Sequence, residues 1–190
     1  MPDVAEQILA DGHANMVSMA RPFLADPEFP KKALEGRTDE INTCIACNQA
    51  CLDHVFERKT ASCLVNPRAC KELSTMVLPA TTKKKIAVVG AGPAGLSASV
   101  TLAQRGHEVH LFEAQSVIGG QFNIAKEIPG KEEFIETLRY YKKQMELHKV
   151  HIHLNSVFKQ EQATNFDEVV VSTGVSAVSY THLRAHETKA

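Results

Sequence analysis

The chain has 190 residues, 44 % of them hydrophobic, with 21 basic against 22 acidic residues and a formal net charge of −1. That balance gives no field for a nucleic-acid backbone or an anionic membrane surface, and the composition is that of a globular protein. No apolar run approaches the roughly 20 residues that a helical bilayer span requires, and no signal peptide precedes the cysteines, so a cytoplasmic protein is expected.

Residues 3 to 11 read as a helix, with Ala5, Ile8 and Leu9 as its stripe, Asp3 as its cap and Gly12 as its stop. Asn15 to Met19 reads as a short strand. Ala20, Arg21 and Pro22 break it, and a second helix is expected from Asp26 or Pro27 to Gly36. A lone strand between two helices cannot form a core, so the beginning looks cut. The order helix, strand, Arg-bearing loop, helix is that of the last unit of a βα barrel, where phosphate sites often form. On that view Arg21 clamps a phosphate; a surface Arg neutralising a helix end is an equal alternative.

From Arg37 to about Leu78 turn formers surround four cysteines in the pattern C-x2-C-x3-C-x11-C: Cys44, Cys47, Cys51 and Cys63. Three thiolates within eight residues (CIACNQAC) let one loop wrap one side of an iron-sulfur cubane while the fourth closes from a distance. Structural zinc usually pairs its cysteines two and two, so this spacing fits it less well; zinc and unliganded thiols stay open. Few apolar residues occur here, so a bound metal centre would supply much of the order. Cys70, outside the pattern, reads as a small buried residue. The count of five is odd, and disulfides are not expected.

After a linker from Pro79 to Lys85, Ile86 to Val89 reads as a strand running into Gly90-Ala91-Gly92-Pro93-Ala94-Gly95. A helix follows from about Ala94 to Arg105, then a strand from Val109 to Phe112 with Glu113 at its end. This is the dinucleotide fingerprint in its required strand-turn-helix context. Gly90 allows the turn, Gly92 lets backbone approach a pyrophosphate, and Gly95 lets the helix press on the strand. Glu113 would take ribose hydroxyls, and its charge disfavours a 2′-phosphate, so FAD or NAD is expected rather than NADP.

Gly119-Gly120-Gln121 is a second glycine pair, either a flavin approach or a plain turn. A helix from about Lys131 to His148 reads as a core-facing crossover. Val150, Ile152 and Leu154 alternate with His151 and His153, which puts both histidines on one strand face, expected to be exposed rather than metal-binding. Glu168 to Ser172 reads as a further buried strand leading into Thr173 and Gly174.

The run INTCIACNQACLDHVFERKTASCLVNPRAC, with MVSMARPFLADP before it and KKIAVVGAGPAGLSA after it, resembles the iron-sulfur flavoenzymes of the old yellow enzyme group, the bacterial 2,4-dienoyl-CoA reductases among them. The resemblance covers residues 3 to 176. It implies an α/β architecture: residues 1–36 as the end of an FMN-binding βα (TIM) barrel, 37–78 as a Cys-rich iron-sulfur linker, and 84–176 as a partial Rossmann-like FAD-binding domain. It also implies a 4Fe-4S cluster on Cys44, Cys47, Cys51 and Cys63, FMN phosphate contacts from Ala20 and Arg21, and FAD contacts from Gln49, Ala94, Glu113 and Gln121. The implied activity is NADPH-dependent reduction of a conjugated C=C bond in an enoyl-type substrate, with electrons passing from FAD through the cluster to FMN.

The family's Tyr and His acids belong to barrel strands this sequence lacks, so no catalytic residue is assigned and the fragment by itself is expected to be inactive. A stand-alone FAD/iron-sulfur electron-transfer module and a zinc-stabilised non-catalytic module are the alternatives. Residues 177–190, including His182 and His186, look like a non-native, disordered, adapter-like tail.

Overall fold

The computed structural model describes residues 2–175. Its helices are α1 (Pro2–Ala10), α2 (Arg21–Ala25), α3 (Phe29–Leu34), α4 (Leu52–Phe56), α5 (Pro93–Gln104), α6 (Phe122–Ala125) and α7 (Phe134–Leu147). Its strands are β1 (Lys85–Val89), β2 (Glu108–Phe112), β3 (His151–His153) and β4 (Glu168–Val171).

Ile86, Ala87 and Val88 are apolar in succession and buried, which suits a central strand covered on both faces. β1 pairs in parallel with β2 on one side and β4 on the other, Val88 standing opposite both Leu111 and Val170. The sheet order is β3-β2-β1-β4, all parallel, so the chain reverses its direction of travel across the sheet between β1 and β4. Such a reversal opens a crevice at the carboxyl ends of the strands.

α5 and α7 close one side of the sheet over a core of Val88, Ala91, Leu96, Val100, Val109, Leu111 and Met145. The two central strands and both long helices lie within a few residues of their expected bounds. β4 differs from the buried strand expected, because it is a sheet edge and Val171 is 72 % exposed.

Before the sheet the chain is held differently. Asn15 to Met19 form no strand, since none of the described residues offers a neighbouring strand to take their N–H and C=O groups. The helix expected from Asp26 or Pro27 to Gly36 is the shorter α3, and a further short helix, α2, precedes it where Ala20, Arg21 and Pro22 read as a break. The buried Asp26 carboxylate is the hub there. It accepts from Lys32 Nζ at 2.7 Å, from the Asn42 N–H at 2.8 Å and from the Glu28 N–H at 3.0 Å.

Arg139 on α7 ties this part to the sheet domain by donating to the Asp39 and Ile41 carbonyls and to Thr43 Oγ1. The tail from 177 to 190 lies outside the described residues.

Candidate functional site

The loop before α4 turns back on itself because Ala46 and Asn48 take left-handed backbone angles, at φ 53° and 60°. Those turns bring Cys44, Cys47 and Cys51 to one pocket, which Cys63 completes from the far side. All four thiols are free and partly buried. The Ala46 N–H donates to Cys44 Sγ at 3.4 Å. Burial pushes the Cys63 thiol up, opposed by hydrogen bonds from the Val65 and Asn66 backbone and reinforced by the neighbouring Cys44 and Cys47.

Four thiols, three from one loop and one from a distance, are a donor set for an iron-sulfur cluster or for tetrahedral zinc. The free space in the cysteine pocket is about 10 Å³, so the loop would have to spread to admit a cluster. Cys70, expected to be buried, is exposed in a left-handed turn (φ 61°), and its neighbour Ala69 is the buried residue.

Arg21, the first residue of α2, lines the same cysteine pocket and donates from Nη1 to Asn48 Oδ1 at 2.5 Å. Its guanidinium is exposed, with further N–H donors free to face an anion. Ala20 precedes it, also exposed.

The second site is a cavity of about 610 Å³ at the carboxyl ends of β1, β2 and β4, in the crevice of the order reversal. Gly90, Gly92, Ala94, Glu113, Gly120 and Gln121 all line it; Gly95 and Gln49 do not. Gly95 lies behind the wall, where an added Cβ would be 1.8 Å from the Gly90 carbonyl oxygen, so only glycine lets α5 sit this close to the turn. At Gly92 an added Cβ would meet nothing within 4 Å, because it would point into open space. Gln49 is exposed on the cysteine loop.

Glu113 braces the glycine turn, Oε2 accepting from the Ala91 N–H at 2.7 Å and Oε1 from the Gln115 N–H at 2.9 Å. Each oxygen keeps a lone pair for a hydroxyl. The second glycine pair is stapled to the first by the Gly119 N–H donating to the Ala91 carbonyl at 2.8 Å. Gln121 Nε2 donates to the Val175 carbonyl at 2.9 Å.

Among the described residues no side chain caps the start of α5, whose first residues, Pro93 and Ala94, line the cavity. Among the described residues, no Lys, Arg or His lines the cavity. An anion there would be held by backbone and helix dipole alone.

Sequence reasoning missed Ser172. Its hydroxyl lies 2.9 Å from the Val89 carbonyl and 3.0 Å from the Gly90 carbonyl, buttressing the turn from β4. Its position at the end of an apolar strand was the signal available. Phe158 and Ser156, which close the cavity opposite the glycines, carried no signal at all.

Residues 84–186, more than half of the chain, match the family described as pyridine nucleotide-disulphide oxidoreductase. The chain belongs to that family. Residues 1–40 match the NADH:flavin oxidoreductase / NADH oxidase family. A metal reductase of Desulforamulus reducens is 39 % identical over 94 % of this chain, and an NADH oxidase of Thermoanaerobacter brockii is 48 % identical over 68 % of it.

A solved 2-naphthoyl-CoA reductase in complex with 2-naphthoyl-CoA superposes with a TM-score of 0.92 at 38 % identity, over 95 % of this chain and 28 % of that one. This member of the oxidoreductase family spans 28 % of the metal reductase and 20 % of the NADH oxidase. Its relatives are flavin oxidoreductases of the old yellow enzyme-like group, and its sheet is a parallel α/β fold.

Proposed function

We propose that this chain is the electron-relay portion of an NADPH-dependent flavin and iron-sulfur oxidoreductase that reduces conjugated C=C bonds, with a 2,4-dienoyl-CoA or related enoyl thioester as substrate. The observation that carries this is the pairing of two unlike sites: a pocket of four thiols beside Arg21, and a glycine-walled cavity at the carboxyl ends of the strands. The conjugated acyl-CoA in the solved relative supports the substrate class.

In this proposal residues 1–36 end an FMN barrel, 37–78 hold a 4Fe-4S cluster, and 84–176 are the Rossmann-like part of an FAD domain. When bound, flavin supplies both two-electron and one-electron chemistry, and the cluster transfers electrons singly. The chain's residues bind and orient. Cys44, Cys47, Cys51 and Cys63 ligate the cluster, while Ala20 and Arg21 hold the FMN phosphate.

Gly90, Gly92, Ala94 and Gly120 admit the FAD pyrophosphate to the start of α5, with Gly95 fixing the helix behind them. Glu113 accepts the ribose hydroxyls, and Gln121, with Gln49 from the cysteine loop, would reach toward the FAD. No residue of this chain is assigned to the chemical step. The Glu113 carboxylate at the end of β2 favours FAD over a 2′-phosphorylated nucleotide.

Anaerobic reconstitution with iron and sulfide tests the relay. Near-equal iron and acid-labile sulfide, lost in Cys47→Ser, is expected. One equivalent of zinc with no sulfide would overturn it.

A further inference from the structure

At the β2–β3 edge of the sheet, a carboxylate and three imidazoles converge. His110 and His151 are direct register partners on adjacent parallel strands, and Glu108 precedes His110 by two residues on the same face. A ligand atom from each of Glu108, His110 and His151 lies within 4.8 Å of the others. We propose that these three side chains form a binding site for a divalent transition-metal ion of the zinc class, separate from the cysteine quartet.

The donor set decides the class. Two imidazoles and one carboxylate suit Zn²⁺, Co²⁺ or Ni²⁺, whereas Mg²⁺ and Ca²⁺ prefer oxygen alone. Ligand bonds of about 2.0 to 2.2 Å place tetrahedral donors roughly 3.4 Å apart, so the present spread closes with side-chain swings of about 1 Å. The half already in place is Glu108 with His110, whose Oε1 and Nε2 are 3.1 Å apart. A cation there takes the position of the proton they share. The ring of His151 stacks on His110 at 4.6 Å with 21° between planes, so its nitrogen has to turn inward. Nothing prevents it, because His151 is exposed.

His153 gives the site its outer support. Its Nε2 lies 3.0 Å from His110 Nδ1, and its own ring is held against Phe112 at 4.5 Å. With the proton on His110 Nδ1 donated to His153, the Nε2 lone pair of His110 faces Glu108 and the ion. A hydrogen-bond acceptor on the second nitrogen fixes the tautomer of a metal-binding imidazole, a task His153 does here in place of the usual carboxylate, carbonyl or water. Three protein ligands leave a fourth position for water.

Anaerobic titration of the full chain with Co²⁺ separates this site from the cysteines, because thiolate ligation adds intense near-ultraviolet charge-transfer absorption and N/O ligation does not. One equivalent should bind without the thiolate band and persist after the cysteines are alkylated with iodoacetamide. Its affinity should fall at least tenfold in Glu108→Gln and in His151→Ala, and by less in His153→Ala. His13→Ala should leave it unchanged. Glu108 and His151 carry no core packing, and circular dichroism checks that their variants fold. Affinity unchanged within twofold in both variants, or a thiolate band on every bound equivalent, would overturn the site.

Discussion

Val88, Leu96 and Leu111 have no solvent exposure, and they lie where two helices cover a parallel sheet. Between Arg37 and Leu78, Ile41, Ile45 and Ala69 are the buried apolar side chains, and the order there comes from polar ties to Asp26, Asn42, Asn66 and Arg139. The contrast is physical. Apolar burial is non-directional and contributes about 25 cal/mol per Å², whereas an intramolecular hydrogen bond nets about 1 kcal/mol. The sheet domain can therefore hold its cavity without a ligand, while the cysteine segment depends on directional ties and on whatever its thiols bind.

Chelation should break this symmetry most. Removing the metal centre from reconstituted protein is expected to raise amide exchange between residues 42 and 70 at least tenfold and leave β1 and β2 unchanged, as hydrogen-exchange mass spectrometry can read. Equal loosening of both regions would show that the sheet does not stand by itself.

Inside the sheet domain two glycines sharpen the comparison. Gly95→Ala places a Cβ 1.8 Å from the Gly90 carbonyl oxygen, and denaturant unfolding should show a loss of about 3 kcal/mol. Gly92→Ala meets no atom within 4 Å. It should change stability by under about 1 kcal/mol yet weaken FAD retention on gel filtration, since the methyl enters the cavity.

Arg139→Ala cuts the principal tie between the regions. Loss of its bonds to the Asp39 and Ile41 carbonyls should cost about 1 to 3 kcal/mol and speed proteolysis in the cysteine segment first.

The smallest effect is an acid one. The Lys143 ammonium, with Arg139 nearby, holds the exposed Asp39 carboxyl below its ordinary value. Its contribution is present above the unfolded value near 3.8 and is lost as pH falls through the lower folded value. Acid titration below pH about 4 should thus loosen the 38–43 turn slightly, and Asp39→Asn should remove that dependence.

Local rules made the sheet domain readable. Ile86 to Val89, the glycine turn and Glu113 follow one another in the chain, so the cavity floor was visible before any contact was known. Gly119 and Gly120 were ambiguous, because a turn and a close approach demand the same residue; the Gly119 bond to Ala91 shows that they abut the first turn. Helix α2 is not legible in the sequence because Pro22 reads as a breaker, although proline suits the first turn of a helix. Cys70 was misplaced because residue type stood in for environment, and its left-handed backbone turns it outward.

Sequence alone determined the cysteine spacing, the order strand-turn-helix-strand and the carboxylate at the end of β2, since each depends on residues close together in the chain. Tertiary structure decided the rest. It made β4 an edge, brought Ser172 under the glycine turn across 82 residues, and placed Arg21 at the cysteine pocket. It also turned His151 and His153, expected to form a plain exposed face, into neighbours of His110 and Glu108. Strand register sets those meetings, and it follows from which surfaces bury each other across the sheet, a property no local pattern carries.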